Sequence, residues 1–113
     1  MEIKTSKEVA GIVGVRIERA LSERNMTAAE LAKKTGISQQ DISNYRHGRY
    51  APRQSKLFLL AMALGVSPAW LMGMETDMYI KDELEYLWTQ LSDTHKKQAL
   101  DYMRFLVIQE VRE

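Results

Sequence analysis

The stretch MTAAELAKKTGISQQDISNYRHGRYAP, residues 26–52, holds two short helix signals joined by a glycine. Thr27, with Glu30 three residues on, makes a capping box. The threonine oxygen accepts from the Glu30 amide, and the glutamate reaches back. The helix it opens ends near Thr35, with Gly36 suited to a left-handed position just past the end. Ser38 caps the next helix, and Asp41 puts a negative charge in its first turn. This second helix, 38–46, is expected to stop near His47, where Gly48 again fits the left-handed position. Ala32, Gly36 and Ile42 then form the core of a helix–turn–helix. Ala32 is small where two axes cross, Gly36 tolerates positive φ, and Ile42 turns inward as an aliphatic anchor.

The flanks are helical too. Val9–Arg24 places Val9, Ile12, Val13, Ile17, Ala20 and Leu21 on one face, and Asn25 ends it. After Pro52, residues 53–64 form an apolar helix that ends at Gly65. Ser67-Pro68 reads as cap plus first helical residue of a short helix carrying Trp70 and Leu71, closed by Gly73. Residues 74–80 connect to a helix over 81–91, and Ser92 caps a longer one over 93–112. Period-2 alternation and hairpin turns are missing from the sequence. The expected class is all-α.

Composition narrows the function. The chain has 113 residues, 45% hydrophobic and 27% charged, which is globular rather than disordered. Cysteine is absent and histidine occurs twice, so disulfides and thiolate sites are excluded and no metal or cofactor is expected. The N-terminus lacks the apolar core of a signal peptide, and Leu57–Leu64 is too short to span a bilayer. A soluble, cytoplasmic protein is expected. Residues 1–74 carry eleven Lys and Arg against six Asp and Glu. Residues 75–113 carry five against nine. A basic body can meet a polyanion, whereas an acidic tail faces solvent or another protein.

Residues 9–73 resemble the DNA-binding domain of Cro/repressor-type helix–turn–helix regulators, the xenobiotic-response-element-like family. The likeness rests on residues 26–52 and on LLAMALGVSPAWLMG, residues 59–73. It implies a five-helix domain whose second motif helix, 38–46, lies in the major groove of double-stranded DNA. Gln39, Gln40, Ser43 and Asn44 are the expected base readers, since glutamine and asparagine amides pair with adenine N6 and N7. Ser38, Arg46, His47, Arg49, Tyr50 and Arg53 are the expected phosphate contacts, clustered at the two ends of that helix. Two positions depart from the family pattern. Ala28 stands where many members place a phosphate-gripping glutamine. Arg46 stands opposite Arg16 where many pair a glutamate with an arginine, so Arg46 is expected to be free for DNA and Arg16 to need another partner.

The last helix is apolar over more than one stripe. Leu100, Met103, Val107 and Val111 form a row, joined by Leu106, and a face so wide must be covered. The expected organisation is a helix–turn–helix DNA-binding domain over 1–74 and a helical, dimerising extension over 75–113. The expected function is a repressor that binds a palindromic operator as a homodimer. The alternative is an antitoxin-type module whose C-terminal helices grip a partner protein. An enzyme is not expected: neither a phosphate-binding loop nor a zinc-protease motif occurs, and residues 75–113 are too few for a self-cleaving domain.

Overall fold

The computed structural model describes residues 4–80 and 82–112, and among these regular structure is helical throughout. A first unit runs to Ile80, and a second takes up the remainder. The first holds α1 (Ser6–Arg24), α2 (Ala28–Thr35), α3 (Gln39–Arg46), α4 (Gln54–Leu64) and α5 (Pro68–Leu71). The second holds α6 (Glu83–Thr89) and α7 (Asp93–Arg112). This is the five-helix domain followed by two helices that the sequence predicts. Lys81, expected to open α6, lies outside the described residues, and α6 is shorter than the 81–91 expected.

Helix ends follow the capping chemistry. The side chains of Thr27, Ser38 and Ser67 accept from the amides of Glu30, Asp41 and Trp70 at 3.1, 3.0 and 3.4 Å. Gly36 sits at φ +76°, and its own amide donates to the Ala32 carbonyl at 2.8 Å. The start of α1 also differs from expectation: the helix begins at Ser6, three residues before Val9. The Thr5 side chain accepts from the Glu8 amide at 3.1 Å and caps the helix there.

The core of the first unit is built from Val13 and Ile17 of α1, Leu31 of α2, Ile42 of α3, Leu60 and Leu64 of α4 and Leu71 of α5, all fully buried. Each such burial stabilises by roughly 1.5–3 kcal/mol. Two arginines of α1 close the ends of later helices. Arg24 donates to the carbonyls of Leu64 and Gly65 at 2.7 and 2.9 Å, where α4 runs out of partners. Arg16 donates to the carbonyls of Trp70 and Met74 at 2.7 and 2.9 Å and lies over the Trp70 ring. Arg16, which the sequence leaves in search of a partner, thus fastens α5 to α1. Residues 75–80 fold back on the same unit: the Ser67 amide donates to the Met78 carbonyl at 2.8 Å, and Tyr79 forms an isolated bridge with Val66.

In the second unit Ser92 caps α7 by accepting from the His95 amide at 3.2 Å. Lys96 lies over the Trp88 ring, and Tyr102 stacks on Phe105. Among the described residues of this unit no side chain is buried.

Candidate nucleic-acid interface

Helix α3 is anchored on its inner side and open on its outer side. Ile42 is 0% exposed and Tyr45 3%, and these two residues, three apart, face the core. Burial pushes the Tyr45 phenol above its ordinary value, and the charge of Asp41 adds to the effect, so the ring stays neutral. Gly14 of α1 sets how close α3 can come. A Cβ there would stand 2.7 Å from the Tyr45 carbonyl oxygen and 2.8 Å from that of Arg46. No side chain fits without moving the end of α3 away from α1. Ala32, expected as the small residue where the two motif helices cross, is partly buried and packs against the core; the close approach of α1 to α3 at Gly14 is a separate crossing that the sequence does not single out. The available signal was a glycine inside the apolar periodicity of α1, where it costs helix stability unless packing needs it.

On the outer side Gln39 and Gln40 are exposed, and Ser43 and Asn44 are partly exposed. Ser38, His47, Arg49, Tyr50 and Arg53 are exposed as well. The structure therefore brings the expected base readers and most of the expected phosphate contacts onto one helix and the loop after it. The Ser38 hydroxyl is already committed to its cap, so what the start of α3 offers an anion is chiefly its amides. The His47 ring leans back on α3, its Nδ1 donating to the Ser43 carbonyl at 2.7 Å.

Arg46 corrects an expectation. It is not free: its Nε donates to Glu18 of α1 in an ion pair. The register of α1 sets Glu18, not Arg16, beside the end of α3. A glutamate–arginine bridge between the first helix and this helix therefore exists with its two residues exchanged.

A chain of polar contacts crosses the outer face. Arg49 donates to Asn44 Oδ1 at 2.6 Å, and Gln40 donates to the same oxygen at 3.4 Å. Asn44 Nδ2 donates to the Tyr50 hydroxyl at 3.0 Å. Tyr50 donates to Asp41 Oδ1 at 3.1 Å, and Lys56 pairs with Asp41 Oδ2 at 3.5 Å. The Tyr50 ring also meets Tyr45 edge to face at 5.5 Å. Only the Gln40–Asn44 contact is local, four residues apart within α3; the links through Arg49, Tyr50 and Lys56 depend on the path of the chain after α3.

Among the described residues there is no cluster of side chains suited to a metal ion, and no helix is long and apolar enough to cross a membrane.

Comparison with known proteins bears on the same segment. A family model described as helix-turn-helix matches residues 15–71. The immunity repressor protein of Bacillus phage phi105 is 32% identical over 85 residues, 75% of this chain and 58% of the repressor. The HTH-type transcriptional regulator PrtR of Pseudomonas aeruginosa is 41% identical over 56 residues, 50% of this chain and 22% of that protein. The chain thus spans little over half of one relative and under a quarter of the other. Among solved structures, a chain of the SinR protein/SinI protein complex superposes with a TM-score of 0.53 at 20% identity. It covers 82% of this chain and 95% of that one, a likeness of fold.

Proposed function

The chain belongs to the helix-turn-helix family of DNA-binding transcriptional regulators, of Cro/repressor type, and from that premise we propose that it represses by occupying a palindromic operator as a homodimer. The observation that carries this reading is α3: it is buried at Ile42 and Tyr45 yet leaves Gln39, Gln40, Ser43 and Asn44 accessible beside a basic loop. In this reading α3 enters the major groove and these four side chains read base edges. Arg49, Arg53 and His47, with the first amides of α3, hold phosphates and set the register. The DNA-binding part is the first unit; the second is the dimerising element. Its Leu100, Met103, Leu106, Val107 and Val111 are between 38% and 80% exposed, an apolar surface that a second copy would cover. Joining two reading heads raises affinity by roughly 10²–10⁴ over one.

The test is selection of bound duplexes from a random library, followed by titration at several salt concentrations. The proposal expects one palindrome to emerge, with affinity that falls steeply with salt. Equal affinity for all duplexes would sink it. Light scattering separates the two uses of the second unit. A dimer mass supports self-association, and a monomer mass at high micromolar concentration favours a different protein partner on α7.

A further inference from the structure

We propose that Tyr50, Asp41 and Arg49 are positioning residues that fix which edge of the Asn44 amide faces the duplex and limit it to a single hydrogen-bond donor. The inference rests on the reading of α3 as a base-reading helix and deepens it. It gives Tyr50 a different task from the phosphate contact that the sequence suggested.

The argument runs from the two ends of the polar chain. A guanidinium only donates, so the Asn44 atom that meets Arg49 at 2.6 Å is the oxygen. The Asn44 nitrogen must then face Tyr50, whose oxygen accepts from it at 3.0 Å. A phenol has one hydrogen, and a carboxylate only accepts, so that hydrogen goes to Asp41 at 3.1 Å. Lys56 completes the line on the other carboxylate oxygen. Every role along the line is set by its donor-only and acceptor-only ends. Turning the amide over would set its N–H groups against the guanidinium.

This arrangement decides what Asn44 offers DNA. Its oxygen already receives Arg49 and, at 3.4 Å, Gln40. Its nitrogen has one hydrogen on Tyr50 and one left. A two-point pairing with adenine needs both a free oxygen and a free N–H. The latched amide has only the N–H. It therefore donates to any base edge that presents an acceptor, which adenine, guanine and thymine all do, and rejects the amino group of cytosine. Arg49 keeps further N–H groups for phosphate.

The experiment uses the full chain and the duplex it selects, with every single-base-pair change measured against the parent, Tyr50→Phe, Asn44→Ala and the double variant. Phenylalanine keeps the edge-to-face contact with Tyr45, so the fold is not at stake. Tyr50→Phe is expected to cut discrimination against cytosine roughly three- to tenfold, the weight of one hydrogen bond, at the base pair that Asn44→Ala also affects. The double variant should match Asn44→Ala alone. Uniform weakening on all duplexes would place Tyr50 on a phosphate and overturn the proposal. So would a change at a base pair that Asn44→Ala leaves untouched. If Asn44→Ala alters no base preference, the base-reading role of Asn44 falls, and the proposal with it. If Asn44→Ala alters one that Tyr50→Phe does not, that role stands and the latch alone is refuted.

Discussion

The two units use apolar residues in opposite ways. Among the described residues, every buried apolar side chain belongs to the first unit, where five helices share one core. The second unit has comparable apolar spacing in α7, but among its described residues none is fully buried: Leu100 and Met103 are each 38% exposed, Val107 61% and Val111 80%. The same helical periodicity thus has two outcomes, set by whether other elements are available to cover it. Helices α1 to α4 cover one another; α6 is one short helix, and the wide face of α7 stays open. Periodicity reports that a face must be covered and is silent on which molecule covers it.

Substitutions sharpen this contrast. Ile42→Ala removes a fully buried side chain from the first core and should cost about 2–5 kcal/mol, measured by denaturant unfolding. A loss well under 1 kcal/mol would mean that α3 is not held by the core. Val107→Asp tests the other unit. The valine is exposed in the single chain, so the first unit should unfold at the same denaturant concentration as before. If a second copy covers α7, the charge would be stranded in an apolar interface, and the mass by light scattering should drop to that of one 13.0 kDa chain. A dimer that survives the change would place the interface elsewhere. Gly14→Ala acts between these in kind. It overpacks the crossing of α1 and α3 and should cost about 1–3 kcal/mol while weakening every duplex, because α3 is displaced as a body. Wild-type stability and affinity in this variant would refute the close approach.

What the sequence revealed follows from how far apart the interacting residues lie. The caps at Thr27, Ser38 and Ser67 join positions three residues apart, so the chain itself displays them. The inward turn of Ile42 and Tyr45 is periodicity and was equally legible. Thr5 and Glu8 carry the same local signal as Thr27 and Glu30, and that one was overlooked. The remaining features are long-range. Arg16 meets Trp70 across 54 positions, Arg24 meets Leu64 across 40, and Arg46 meets Glu18 across 28. Such pairs depend on the rotation of one helix against another, which no local pattern encodes. On the candidate site, sequence supplied the residue types on the outer face of α3; the links from Asn44 to Tyr50 and on to Asp41 needed the path of the loop.

The smallest expected effect bears on the boundary between the scaffold and the reading face. Glu18 belongs to α1 and neutralises Arg46 at the end of α3, with both side chains partly exposed. An ion pair in that setting contributes about 0–1 kcal/mol, so Glu18→Gln should hardly alter unfolding. Its effect on DNA should be different in kind. With the carboxylate charge gone, Arg46 is released toward the duplex, and affinity should rise on all sequences alike. Because one more phosphate is neutralised, the slope of log affinity against log salt should steepen by about 1. A change confined to one base pair would make Arg46 a base reader instead. No change in affinity or slope would mean that Arg46 is out of reach of the phosphates, and that its task is to tie α3 to α1 rather than to touch DNA.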